Sequence, residues 1–375
     1  MTVRSIGLVS SEFPPHPGGM ENYAYFLAEE LVNRGYDVHL FVPPGSDGIA
    51  GARSHPLLTR NILVDIWRLR GYQLDVWHVN NSGYSTLAIF KNNVIAHIHG
   101  NDFLKPWVGV DGKVIWRLHP YVNKYLMAAG FRKARNILSN SRHTRSLFLK
   151  KFGVTDSLEA KTEVFHVGLP KECYLYRLQE EAPLRTDPGL QLVTVSRLVN
   201  KRKNVASVIE AVADIIQKDG YPVRYTVIGD GREKESLVQL AKRLGVSDMV
   251  KFTGSIDRES LSTHLLRSDL FILAPRNTER DVEGFGIVYL EANGCGIPVL
   301  TSRNSGTEDA VQEGVSGFFV EEPTREGIRA ALLRFLRKEI VLERSNAFRH
   351  AENFSWTKFV DRLESTIYSN ISGNG

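Results

Sequence analysis

Two carboxylates and two glycines stand within nine residues at Glu283-Gly284-Phe285-Gly286-Ile287-Val288-Tyr289-Leu290-Glu291. The run reads as a helix opening at Glu283. Eight helical residues rise about 12 Å and keep Glu283 and Glu291 roughly on one face. Carboxylates at the two ends suit hydroxyls. The glycines let a ligand approach the backbone, where unpaired N–H groups and the helix dipole favour phosphate. A ligand with hydroxyls at each end and a diphosphate between them is a nucleotide sugar.

Other residue groups suit the same ligand. Gly18-Gly19-Met20-Glu21 follows a strand-like run and a Pro-rich loop and opens a helix, a geometry for phosphate approach or for a simple connection. Ile95-Ala96-His97-Ile98-His99-Gly100-Asn101-Asp102 ends a strand where open α/β sheets bind ligands. Strand alternation puts His97 and His99 on one face, with His99 the functional candidate and His97 free to be packed. A metal site is the rival reading of His-x-His, but no third ligand stands at a characteristic spacing. Ser196-Arg197-Leu198, followed by Lys201-Arg202-Lys203-Asn204, sets cations past another strand end, where they would neutralise a diphosphate or form a solvated basic loop. Gly229 and Gly231, in Ile228-Gly229-Asp230-Gly231, close the next strand and either flank a base or make the turn.

The elements that must position these groups alternate. Apolar runs at Ile6–Val9, Val38–Val42, Val76–Val79, Val94–Ile98 and Ile137–Leu138 read as buried strands, separated by helices such as Glu21–Arg34 and Arg142–Phe152. A second series follows: strands at Leu192–Val195, Tyr225–Ile228, Val250–Thr253, Leu270–Leu273 and Pro298–Thr301, helices near Val205–Gln217, Glu233–Leu244 and Ile287–Cys295. Alternation of this kind builds parallel sheets, so the fold class is α/β with two doubly wound, Rossmann-like domains. The expected division is 1–170, a linker at 171–189 containing Pro183 and Pro188, 190–354, and a C-terminal helix at 355–371 returning to the first domain.

The chain has 375 residues, 42% apolar and 24% charged, as an ordinary globular protein does. Its two cysteines are too few for a disulfide framework, and no stretch approaches the roughly 20 apolar residues of a membrane span. A cytoplasmic protein is expected. The formal charge of +5 is uneven: residues 1–170 hold 19 Lys and Arg against 13 Asp and Glu. Lys105–Lys151 carries eleven bases and one acid.

The motifs in order are Gly-Gly-Met-Glu, His-Gly-x-Asp, Ser-Arg-Leu with a lysine after it, Gly-Asp-Gly, Glu-Gly-Phe-Gly with a second Glu eight residues past the first, and Phe-Ser-Trp. This order, spread over nearly the whole chain, resembles retaining glycosyltransferase family 4. The resemblance implies a GT-B architecture, two domains facing across a cleft, with the donor held mainly by the C-terminal domain and the acceptor by the N-terminal one. It further implies that Glu283 contacts donor sugar hydroxyls, that the amides of Gly284, Phe285 and Gly286 contact phosphate, and that Glu291 holds the ribose. Arg197 and Lys203 would clamp the diphosphate, His99 would stand beside the transferred sugar, and Gly19 would approach the donor phosphate. Two departures stand out. The lysine sits one residue late, in Val199-Asn200-Lys201-Arg202-Lys203, which leaves Lys201 and Arg202 as alternatives; and a Gly-Gly loop is replaced by Ser305-Gly306-Thr307-Glu308.

Cleaving the anomeric bond develops negative charge on the nucleotide diphosphate, and preorganised donors are worth on the order of 3 kcal/mol each. No metal or other cofactor is expected, since no Asp-x-Asp occurs and Asp281-Val282-Glu283 is the nearest approach. A glycosidase needs carboxylates about 5 to 10 Å apart across the scissile bond, which Glu283 and Glu291 on one helix do not provide. A nucleotide-sugar epimerase or a phosphorylase on the same fold are the nearer rivals. Nucleic-acid binding by the basic segment, with Trp107, Trp116, Tyr121, Tyr125 and Phe131, is the rival from another class, but no nucleic-acid motif accompanies it.

Within Lys105–Lys151 the bases interleave with Val114-Ile115-Trp116, Leu118, Tyr121-Val122, Tyr125-Leu126 and Phe131. That pattern fits an interfacial helix on anionic headgroups, or equally a core face with a basic exterior. The expected partners are therefore a UDP- or GDP-sugar donor, with a lean to GDP-mannose, and a glycan or lipid-linked acceptor in bacterial cell-surface synthesis, at the inner face of the plasma membrane.

Overall fold

The computed structural model describes residues 3–15, 18–104, 120–176, 189–199, 201–278, 281–303 and 305–372, the side chains of 120–123 and 372 excepted. The chain forms two compact units, Met1–Gly168 with Ser355–Gly375, and Leu169–Phe354.

The first unit carries seven strands: β1 Ser5–Val9, β2 Asp37–Phe41, β3 Arg53–His55, β4 Val76–Val79, β5 Val94–Ile98, β6 Asn136–Ser139 and β7 Thr162–Val164. They pair in parallel in the order β3-β2-β1-β4-β5-β6-β7. The chain leaves β1 toward β2 and β3, then crosses back to β4 on the other side. Ligands of such sheets bind at that switch point, beyond the carboxyl ends of the strands. Helices α1 (Gly19–Asn33), α2 (Ile62–Leu69), α3 (Asn101–Leu104), α4 (Pro120–Lys133), α5 (Arg142–Phe152) and α6 (Asp156–Ala160) connect the strands, together with the 3-10 segment Ser82–Ile89. The start of α5 is local chemistry: the Ser141 hydroxyl accepts the Thr144 N–H and caps it.

The second unit repeats the plan with β8 Leu190–Val195, β9 Val223–Ile228, β10 Val250–Gly254, β11 Leu270–Ile272, β12 Val299–Ser302 and β13 Gly317–Val320, all parallel in the order β10-β9-β8-β11-β12-β13. Its helices are α7 (Val205–Gln217), α8 (Lys234–Arg243), α9 (Arg258–Leu266), α10 (Ile287–Gly294), α11 (Thr307–Ala310), α12 (Arg325–Leu336) and α13 (Arg344–Ala351). One face of α7 packs Val205, Val208, Ile209, Val212 and Ile215 into the core with Leu192, Tyr225 and Val227 of the sheet.

Three strands were not expected. β3 and β7 are three-residue edge strands, Arg-Ser-His and Thr-Glu-Val, without an apolar run, and the four residues of β13 are too short for a period to show. The boundary also falls earlier than a linker at 171–189 would place it. Leu175 N–H donates to the Gly294 carbonyl at 3.1 Å, and a Cβ on Gly294 would come within 2.3 Å of the Cys173 carbonyl oxygen, so this stretch is packed onto the second unit; residues 177–188 lie outside the described residues.

Past α13 the Ser355 hydroxyl caps a new helix, Trp356–Leu363, by accepting the Lys358 N–H. Trp356, Phe359, Val360, Leu363 and Ile367 are buried at helical spacing, each such side chain contributing about 1.5–3 kcal/mol. Arg34 then holds Asp361 at 2.7 Å and Glu364 at 2.9 Å, and Tyr36 donates to Glu364 at 2.9 Å. The C-terminal helix thus belongs to the first unit.

Candidate functional site

The glutamate loop is not helical. α10 begins only at Ile287, with Gly286 in the left-handed region (φ 87°) as its N-cap, so Glu283 precedes the helix and the 12 Å helical span does not apply. One bond from the preceding loop and one from a distant turn set the loop instead. Glu283 N–H donates to Asn277 Oδ1 at 2.9 Å, and Gly306 N–H donates to the Glu283 carbonyl at 2.9 Å. A Cβ on Gly306 would lie 1.8 Å from the Gly284 carbonyl oxygen, so the Ser305-Gly306-Thr307 turn is the surface on which the glutamate loop rests. Thr307 does not face outward: its hydroxyl donates to the Ser302 carbonyl at 2.7 Å.

The Glu283 carboxylate is nearly buried and lies between two cations. Oε2 accepts from Lys203 Nζ at 2.7 Å and from Arg202 at 2.9 Å, while Arg202 Nε stands 2.8 Å from Asp281. Burial alone would push this carboxyl up; Lys203 and Arg202 together outweigh it and hold it down at about 2. Burial pulls the Lys203 ammonium down, opposed by Glu283 and reinforced by Arg202 and Arg197. Of the three bases, Arg202 and Lys203 both meet Glu283, and Lys201 is exposed.

Arg197 lies exposed beyond the end of β8, close enough to Lys203 to affect its titration. Its loop is joined to the Gly229–Gly231 loop at the end of β9: Ser196 N–H donates to the Ile228 carbonyl at 3.0 Å and Leu198 N–H to the Asp230 carbonyl at 2.8 Å. At Gly229 (φ 130°) a Cβ would come within 2.0 Å of the Ser196 carbonyl oxygen, and at Gly231 (φ 150°) within 2.5 Å of the Leu198 carbonyl. Both glycines have a packing reason to exist. The Phe285 ring is buried, 6.0 Å from Phe354, so only its backbone is available to a ligand. Glu291 sits on α10, where burial pushes its carboxyl above the ordinary range with Arg258 opposing.

In the first unit the two histidines separate. His97 is fully enclosed, with Nδ1 2.5 Å from the Tyr23 hydroxyl and Nε2 2.7 Å from His78 Nδ1; His78 in turn reaches the Tyr368 hydroxyl at 2.7 Å. Both ring nitrogens of His97 are occupied, which leaves nothing for a metal. Burial keeps this chain neutral, with His78 down at about 3. His99 follows β5, its ring against Tyr23 (4.8 Å) and its Nε2 2.8 Å from Asn80 Oδ1. Asn80 Nδ2 donates to the Met20 carbonyl at 2.9 Å and to Ser10 Oγ at 3.1 Å, so its oxygen must face the imidazole. His99 therefore carries its proton on Nε2, and Nδ1 is the nitrogen with the lone pair. Burial lowers its basicity, with Asp102 opposing.

Gly18 precedes α1 in extended backbone, and the Glu21 carboxylate folds over it, 2.1 Å from where a Cβ would be. Gly19 opens α1 with no atom of the described residues within 4 Å of a Cβ position, so packing by those residues does not require glycine there. Sequence reasoning missed Asn80, Asn277 and the support given by Gly306: Asn80 and Gly306 act on residues 19 and 23 positions away, and Asn277, six residues before Glu283, stands in a loop with no period to mark it.

Of the basic segment, residues 105–119 lie outside the described residues. In the remainder, Phe131 is fully buried against Phe148 and Phe152, so it is a core residue and not a lipid- or nucleic-acid-facing one. Lys151 is also used internally, donating to the Phe103 carbonyl at 2.6 Å, while Tyr125 is exposed. Among the described residues no helix is long and apolar enough to cross a membrane.

The comparisons with known proteins bear on this geometry. A model of glycosyltransferase family 4 matches residues 17–170, and a model of glycosyl transferases group 1 matches residues 178–353. The GDP-mannose-dependent alpha-(1-6)-phosphatidylinositol monomannoside mannosyltransferase of Mycolicibacterium smegmatis is 29% identical over 354 residues, 87% of each chain. Among solved structures, Anabaena HepE in complex with UDP and glucose superposes with a TM-score of 0.70 at 20% identity, covering 98% of this chain and 100% of that one. Sucrose-phosphate synthase from Thermosynechococcus elongatus superposes with a TM-score of 0.75 at 17% identity, covering 99% and 100%. These structures share the GT-B fold. With both halves matched, the chain belongs to glycosyltransferase family 4 and is a hexosyltransferase of that fold.

Proposed function

We propose that this enzyme is a retaining mannosyltransferase that moves mannose from GDP-mannose to a lipid-linked or glycan acceptor in bacterial cell-surface synthesis. The observation that carries the reading is the Lys203–Glu283–Arg202 cluster beside the Glu283–Gly286 loop. Lys203, Arg202 and Arg197 stabilise the leaving diphosphate together with the amides of Gly284 to Gly286, Glu283 receives donor sugar hydroxyls, and Glu291 the ribose. The family resemblance assigns His99 a place beside the transferred sugar and Gly18, Gly19, Gly229 and Gly231 contacts to the donor. With this positive charge the reaction needs no metal. The GDP-mannose-dependent relatives support the choice of base and sugar.

A panel of UDP- and GDP-sugars read by thermal shift and slow hydrolysis tests this. At a hundred times Kd a ligand stabilises by about 2.7 kcal/mol, and GDP-mannose is expected to raise Tm by about 5 °C or more, with hydrolysis unaffected by EDTA. No nucleotide-dependent shift would overturn the reading. A product epimer with no acceptor dependence, or a requirement for inorganic phosphate, would replace it with an epimerase or a phosphorylase.

Gly19 gives a second test. Glycine in a helix is less stable than alanine by about 0.5–1 kcal/mol, and among the described residues nothing crowds this position. Gly19→Ala is therefore expected to keep or slightly raise stability in urea while lowering turnover, because the added methyl obstructs the phosphate. Unchanged turnover would mean that the donor does not approach Gly19.

A further inference from the structure

Nine large apolar side chains are exposed among the described residues, and five of them belong to two adjoining segments of the first unit: Leu63, Val64 and Trp67 (61% exposed) on α2, and Ile89 and Phe90 (64%) at the end of the 3-10 segment. α2 is apolar on both sides. Ile62, Ile66 and Leu69 face the core, and Leu63, Val64 and Trp67 face outward, which the stability of a globular helix does not ask for. Lys91 Nζ donates to the carbonyls of Arg70 (2.8 Å) and Tyr72 (2.5 Å), which fixes Ile89 and Phe90 beside the end of α2.

The exposed charge carried by this stretch of chain has one sign. Arg70 lies over the Trp67 ring at 5.0 Å and Arg68 is exposed beside it, with Arg60 before the helix. The single acid between Arg53 and Leu74, Asp65, is buried and turned inward, where it accepts from Thr59 at 2.7 Å and from Tyr84 at 2.7 Å. The outward face thus offers Trp, Phe and aliphatic groups among guanidinium groups.

We propose that this face of α2 and residues 89–90 seats on an anionic lipid surface, Trp67, Leu63 and Phe90 entering the headgroup boundary while Arg68 and Arg70 meet lipid phosphates. Charge complementarity selects the occupant. A second copy across a two-fold axis would set these arginines against their own images, whereas anionic headgroups neutralise them. The contact itself does not depend on the proposed sugar transfer; it deepens the lipid-linked acceptor reading by giving the enzyme a place to stand. It also moves the lipid contact away from the described part of Lys105–Lys151, where Phe131 is in the core.

Flotation of the full chain with vesicles of phosphatidylglycerol and phosphatidylcholine, against phosphatidylcholine alone, tests the proposal. The parent is expected to prefer the anionic vesicles by about tenfold or more, with the preference shrinking as salt rises. The double variant Trp67→Ser, Phe90→Ser is expected to bind them at least about tenfold less well, and Arg68→Gln with Arg70→Gln to lose most of the preference. Unchanged melting and donor hydrolysis in these variants would show that the fold is intact. Parent-like binding by the double variant, or loss of binding on Lys150→Gln alone, would overturn the assignment. So would a dimer in light scattering that the double variant dissociates without any vesicle binding. If vesicle binding follows expectation but no donor is turned over, the surface stands and the proposed function fails; transfer to a water-soluble acceptor without vesicle binding gives the reverse.

Discussion

Glu283→Gln is expected to lower turnover by on the order of a hundredfold, with a much smaller loss of nucleotide affinity. The carboxylate holds Lys203 Nζ at 2.7 Å and Arg202 at 2.9 Å, and an amide turns an N–H group toward one of these cations. Displacing such groups by about 1 Å can cost 10²-fold. The same change removes one member of a buried ion cluster, for which a loss of about 3–5 kcal/mol at neutral pH is expected in urea. The pH dependence has a definite sign. Burial raises the Glu283 carboxyl, but Lys203 and Arg202 bring it down to about 2 from 4.5, so its contribution to stability is present above pH 4.5 and is lost as pH falls toward 2. Parent and variant stabilities should therefore converge across that window. Equal turnover losses in Glu283→Gln and Glu291→Ala would show that sugar and ribose roles are assigned wrongly, and a gap between parent and variant that persists at pH 2 would remove the ion cluster as the cause of the stability loss.

Gly306→Ala should destabilise by about 3 kcal/mol and reduce turnover as well. Gly306 has ordinary helical dihedrals (φ −67°), so the substitution strains nothing locally. The obstacle is the opposite backbone: the new Cβ would stand 1.8 Å from the Gly284 oxygen and 2.3 Å from its carbonyl carbon, and neither atom can turn away as a side chain would. Overpacking of this kind usually costs about 1–3 kcal/mol, and here the atoms displaced belong to the proposed phosphate-binding loop. Chemical denaturation of the variant beside Gly19→Ala makes the contrast direct, one glycine enclosed by backbone and one standing in open space. Parent-like stability and turnover in Gly306→Ala would mean that the loop does not rest on this turn.

Much of the frame was legible because its signals are local. Arg142–Phe152 and Val205–Gln217 were expected and found with the same bounds, since apolar spacing and a capping serine or a preceding loop operate within a few residues. The edge strands β3 and β7 escaped because three polar or mixed residues carry no period. The helix expected from Glu283 failed for a different reason. Glu283 is held at its N–H by Asn277 and at its carbonyl by Gly306, and Gly286 in the left-handed region starts the helix only at Ile287, within the run Ile287–Cys295 that reads as helical in the sequence.

The alternation of strands and helices, the two doubly wound units and the order of motifs that marks glycosyltransferase family 4 can all be read from the chain before it folds. Side-chain period and turn chemistry are short-range properties, and the chain order of the motifs needs no folding to be read. Which cations meet Glu283 depends on folding, because Arg202 lies 81 residues before it and the sheet brings their strand ends together. Folding also separates His97, enclosed by Tyr23 and His78, from His99, whose tautomer is set by Asn80, 19 residues earlier. Composition marked Lys105–Lys151 as basic, but burial decides which side chains face outward. By that measure Phe131 belongs to the core, and Trp67 and Phe90 to the surface.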